Sequence, residues 1–293
     1  TAGTYDISEG GCTLVMSGTS KKIYFTGNES VGNLQISGTT TLHEIDGGTE
    51  RVRVNGTLTV DASKTLSSNT SEPINMNTAG DALVINNAAT GLSGLYELTF
   101  DHSSGTISVP ACTTPRIKCN TSGGTVTATG DLTITTELEV ASGTTFNANG
   151  NTIACKSVDL NAGTLNLSNS TLNFSVTNSG DSLDLRGGGT LTTGNTNING
   201  NSAVVADRTL FYAPSSGNWE VVGNVSNMNM DTDSDLTVIG SVTNCSATNT
   251  GSNIRQWHHT LDTQQLLDAD SAGDDDLRLT KPALDNAHEL MTG

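Results

Sequence analysis

The sequence predicts an all-β chain, a β-solenoid expected as a right-handed parallel β-helix, closed by a short helical segment at its C-terminal end. Three observations predict it. Apolar residues arrive in short alternating groups separated by Gly, Asn, Asp and Ser turns. Hydrophobic residues make up only 34% of the chain and aromatics 4%, too few for one thick globular core. The turn-and-strand unit also returns at a spacing of roughly 20–25 residues, inside the range that signals solenoids.

The elements follow in order. Residues 1–29 read as N-terminal strands or a cap, and residues 30–252 as the solenoid body. Its first clear unit is Gly32-Asn33-Leu34-Gln35-Ile36, repeated as Gly56-Thr57-Leu58-Thr59-Val60. Period-two alternation puts Leu58 and Val60 on one face and Thr57 and Thr59 on the other. The separation of Leu34 from Leu58 matches one rung. Later copies are Ala82-Leu83-Val84-Ile85, Glu97-Leu98-Thr99-Phe100 and Gly105-Thr106-Ile107-Ser108-Val109. From Gly124 to Phe174 the pattern becomes dense, and it continues through Ser182-Leu183-Asp184-Leu185, Gly189-Thr190-Leu191-Thr192 and Asp235-Leu236-Thr237-Val238-Ile239. Roughly ten to twelve rungs at about 4.8 Å each are expected, with Gly, Asn and Asp supplying positive φ at the corners. A jelly roll or β-sandwich is the competing all-β arrangement.

Composition changes after residue 252. Leu261 to Ala269 has helical spacing, and Pro282 to Leu290 suggests a second short helix with Pro in its first turn. Residues 253–293 therefore read as an acidic, partly helical tail. A solenoid end exposes unpaired strand edges, and such a tail is placed to cap them or to dock a partner. The candidate docking residues are Trp257, His258, Leu266, Leu284 and Met291.

The net charge of −17 removes the main driving force for nucleic-acid binding. No apolar run is long enough for a membrane-spanning helix. Five cysteines (Cys12, Cys112, Cys119, Cys155 and Cys245) are widely spaced without a Cys-x-x-Cys pair, and read as free thiols. The chain begins at Thr1 rather than Met, as processing or a partial N-terminus would give.

Chemistry-bearing motifs are sparse. His43, His102, His258, His259 and His288 sit in no nucleophile motif. Asp231, Asp233 and Asp235 alternate with the spacing at which calcium loops begin, without the Gly and Glu that complete an EF-hand. They are the metal candidate, for Ca²⁺. Asp268 and Asp270 with Asp274, Asp275 and Asp276 form a similar group that is no stronger. His258-His259 reads as a subunit contact or metal site less readily than as part of the cover that Trp257 gives the last rung. No catalytic residue is assigned, and the chain is read as non-enzymatic.

The turns and alternating Thr-Leu-Thr-Val groups of residues 30–245 resemble those of bacteriophage tail-fibre, tailspike and virion-decoration β-helices. The resemblance implies a structural virion protein without catalysis, found in the virion or extracellularly. It implies self-association into a trimer or fibre, contacts with other virion or surface proteins, and binding to a host surface or its glycans. A bacterial surface adhesin or extracellular filament subunit is a second class. A polysaccharide-degrading β-helix enzyme is a third. Arg116-Ile117-Lys118 matches a short basic motif of polygalacturonases, but the Asp-Asp pair and Gly-His-Gly segment that precede it there are missing here.

Overall fold

The computed structural model describes residues 11–25, 29–44, 51–69, 71–174, 182–201, 208–213, 218–230, 235–247, 253–259, 264–270 and 275–277. Every strand pairing up to residue 257 is parallel, so the chain coils and does not form a sandwich of hairpins. It is a β-solenoid of about ten turns. Parallel pairing in a coil lets each strand of a few residues bury its apolar face against the rungs above and below.

Leu34 pairs with Leu58, which pairs in turn with Leu83. These belong to a first sheet formed by Thr13–Phe25, Asn33–Glu44, Leu58–Val60 and Leu83–Ile85. The stack therefore already includes Thr13–Phe25, in register with Asn33–Glu44. A second, longer sheet begins with Glu29–Val31 and passes through Val52–Val54, Pro73–Met76, Glu97–Phe100, Cys112–Cys119, Leu132–Val140 and Thr152–Leu160. It continues through Ser182–Asp184, Thr209–Tyr212 and Met228–Met230. A third sheet comprises Thr106–Val109, Thr125–Ala128, Thr145–Asn147, Thr164–Asn166 and Thr190–Thr192.

The core is a set of vertical columns. On the long sheet Val52, Ile74, Leu98, Ile117, Leu138, Val158, Leu183 and Phe211 follow one another in register, all buried. On the third sheet Ile107, Val126, Phe146 and Leu165 do the same. A low apolar content suffices because each apolar residue is shared by two neighbouring rungs. Corners are turned by residues with positive φ, among them Asn149, Asn169, Asn195, Asn227 and Asn244. Asn tolerates this region better than other non-Gly residues. Outward Asn side chains bond along the stack, as Asn199 Nδ2 to Asn173 Oδ1 (2.9 Å) and Asn224 Nδ2 to Asn197 Oδ1 (2.8 Å). The cysteines are free: Cys112, Cys119 and Cys155 are buried, and burial pushes the Cys112 thiol up to about 12.

The C-terminal end corrects one expectation. The helical spacing of Leu261 to Ala269 does not give a helix, because Gln264–Asp270 is a strand, antiparallel to Asn253–His259. Asp275–Leu277 adds a further antiparallel strand. The physical reason is competition. An isolated helix of nine residues is marginal in water, whereas the open edge of Asn253–His259 offers a ready row of backbone partners. Pro282 to Leu290, the second predicted helix, lies outside the described residues. None of the described residues is helical.

Candidate functional site

The outer face of the long sheet gathers most of the paired charge. Alternation makes Glu97 and Thr99, Arg116 and Lys118, Glu137 and Glu139 point outward while Leu98, Ile117 and Leu138 point in. Register then stacks Thr99, Lys118 and Glu139 into a column running Arg53, Asn75, Thr99, Lys118, Glu139, Asp159, Asp184 and Tyr212, and pairs Arg116 with Glu137 in the column beside it.

Arg116 is the hub. Its Nη1 lies 3.1 Å from Glu97 Oε2, and its Nη2 lies 2.6 Å from Glu137 Oε2 and 2.7 Å from Glu139 Oε2. Lys118 Nζ reaches Glu139 Oε1 at 2.8 Å. Glu97 also accepts a 2.6 Å bond from Thr99 Oγ1. Burial works against the charge of Arg116, but Glu137, Glu97 and Glu139 outweigh it and hold its pKa above the ordinary value.

Further along the column the acids outnumber the bases. Burial, with the charges of Asp184 and Glu139, pushes the Asp159 carboxyl up despite Arg116 and Arg186. Burial acts on Asp184 in the same sense. Hydrogen bonds from the Arg186 side chain and backbone, with its charge, reverse the effect and hold Asp184 below the usual carboxylate range. Arg186 in turn lies 4.2 Å from the ring centre of Tyr212, a cation–π contact. Two carboxyl groups one rung apart thus have pKa values displaced in opposite directions.

Two depressions flank the hub. A shallow one of about 650 Å³ is lined by Tyr96, Pro115, Arg116, Glu137 and Lys156 among others. It forms where the register slips between Thr114 and Arg116 and again between Ile134 and Glu137. A more enclosed trough of about 290 Å³ is lined by Arg51, Pro73, Glu97, Thr99, Lys118 and Asn120. Elsewhere, Trp219 lines an open groove with Thr190, Thr192 and Glu220, and its indole N–H is buried without a partner.

No protein-family model matches the chain, and no curated protein or solved structure matches it either. The chemistry of these residues must therefore be read from their geometry.

Of the calcium candidates, Asp231 and Asp233 lie outside the described residues. Asp235 accepts a 2.8 Å bond from Asn253 Nδ2 and pairs with Arg255 Nη2 at 3.0 Å, so its charge is already met by a cation. Among the described residues no three His, Cys, Asp or Glu side chains are grouped to hold a metal. Of the docking candidates, Trp257 and Leu266 are brought together as backbone partners across the antiparallel pair, and His258 pairs with Gln265. Leu284 and Met291 lie outside the described residues. Glu97, Glu137, Glu139, Asp159 and Asp184 escaped the sequence reading, since only the varying rung length decides which of them align. The available signal was the outward alternation in Glu137-Leu138-Glu139 and Val158-Asp159.

Proposed function

We propose that the chain is a structural virion protein, a subunit of a phage fibre or spike or of the capsid decoration, that presents its charged outer face to a host surface and performs no catalysis. The observation that carries this reading is how the outer charges are used. Arg116 binds three glutamates, and Lys118 shares one of them. These are contacts between rungs, and they hold a rod together. A hydrolase of the glycosidic type instead leaves two carboxyl groups facing a bond across a cleft, whereas Asp159 and Asp184 are neighbours in one column. The resemblance of the Thr-Leu-Thr-Val rungs to virion β-helices supplies the setting, and a rigid, acidic stack suits a particle exposed to solvent.

Immunogold electron microscopy on particles and envelope fractions from the source tests the setting. Label on virus particles is expected. Label confined to a cell envelope would overturn the virion reading in favour of a surface adhesin. Self-association into a trimer or fibre belongs to the same proposal, because a slender stack gains stability by burying its faces against copies of itself. Sedimentation equilibrium is expected to give a mass above that of one chain.

A further inference from the structure

We infer that the trough between Arg51 and Lys118 is a binding site for an oxyanion, a carboxylate or sulfate group of the kind carried by acidic saccharides. This inference concerns the pocket alone and does not depend on where the protein resides.

The trough spans successive rungs. Pro73 pairs with Glu97, and Thr99 with Lys118, while Arg51 and Lys118 stand at its two ends. Pro73 and Thr99 make the floor less tall than its ends, and the result is a dip of about 290 Å³. Asn75 and Thr99 point outward, yet they are only 1% and 3% exposed. Taller neighbours must therefore close over them.

The polar inventory is unbalanced there. Arg51 Nε is buried and has no hydrogen-bond partner. Arg51 lines the trough, and among the described residues no carboxylate pairs with its guanidinium. The other charged members are already assigned: Glu97 is held by Arg116 and Thr99, and Lys118 by Glu139. Glu97 shares Arg116 with Glu137 and Glu139, and the charge in the trough without an ion-pair partner among the described residues is that of Arg51. The guanidinium fork matches a carboxylate or sulfate with two parallel bonds, while Lys118, held by Glu139, borders the opposite end. In a chain of net charge −17, a cation left unpaired in an enclosed dip is a poor expense of stability unless something anionic fills it.

The test is isothermal titration calorimetry at low ionic strength with four probes: sodium sulfate, a heparin hexasaccharide, a galacturonate hexamer and neutral maltohexaose. At least one of the three anionic probes is expected to bind saturably, one per chain, with maltohexaose inert. Saturation by sulfate alone identifies a free-anion site. Saturation only by a hexasaccharide identifies an anion borne on a sugar. Arg51→Gln is expected to weaken binding by about tenfold or more. Arg186→Gln, in the turn after Ser182–Asp184 and outside the trough, is expected to leave it unchanged. A readout free of variants is phenylglyoxal modification of the native protein, in which a bound anionic probe is expected to protect Arg51. Absence of binding by all three anions overturns the inference. So does equal weakening by Arg186→Gln, or unprotected Arg51 at saturation.

Discussion

At the scale of single residues, the outer face of the long sheet is governed by which acids have a cation of their own. Asp184 has Arg186, while Asp159 has two acidic neighbours. The raised Asp159 value means that the fold favours its neutral form. That contribution is complete below the unfolded carboxylate pKa and is lost as pH rises through the folded value. Ionised Asp159 is then a net cost, so Asp159→Asn is expected to raise the melting temperature at pH 7 and to change it little near pH 3. Asp184 has the opposite sign. Its contribution is present above the unfolded pKa and is lost as pH falls through the lowered folded value. Asp184→Asn is therefore expected to lower stability at pH 7, by less than about 1 kcal/mol because Arg186 is largely exposed, and to converge on the parent in acid. Thermal melts across this pH range check both signs. Arg116 carries more. Arg116→Met leaves the largely buried Glu97 without its cation and Glu139 with Lys118 alone, and is expected to cost about 2–4 kcal/mol in urea denaturation. A loss below the level of a surface ion pair would show that the hub is ornamental.

At the scale of elements, what was legible in the sequence was what a short strand needs locally. Asp235–Ile239 and the Leu34–Leu58 pairing were readable because alternation and turn residues lie within a few positions of each other. Alignment across rungs was not, because rung length varies: Leu98 is followed by Ile117, but Leu183 by Phe211. The charge column depends on that alignment, so its members were visible singly and its existence was not. The Leu261 to Ala269 stretch failed for another reason. Its apolar spacing suits a helix in isolation, but the neighbouring edge strand decides the outcome. Tight inter-rung approach also leaves its mark at Gly223, whose φ is +145° and where an added Cβ would lie 1.9 Å from the Thr196 carbonyl oxygen. Gly223→Ala is expected to destabilise by about 2 kcal/mol or more. Gly123→Ala, strained in φ but with open space around it, should cost distinctly less. Paired denaturation curves separate crowding from backbone strain.

At the scale of the molecule, a solenoid is a one-dimensional stack in which each rung is held only by its neighbours, so its ends decide its solubility. The C-terminal end is closed by reversal of direction: after a long run of parallel pairs, Gln264–Asp270 and Asp275–Leu277 run antiparallel. The reversal covers the edge of Asn253–His259, which would otherwise offer its backbone groups to another strand. Leu267 sits at the centre of this closure, pairing with Gln256 on one side and Leu277 on the other. Proline there removes a backbone donor from the closing sheet and disfavours a strand position with neighbours on both sides. Leu267→Pro is expected to unseat the two closing strands while the rungs between residues 97 and 174 keep their strand signal in circular dichroism. The freed edge of Asn253–His259 then becomes a template for other chains. Light scattering should show concentration-dependent growth beyond the assembly size of the parent. If the variant keeps the parent's assembly state at every concentration, the antiparallel strands are not what protects this end.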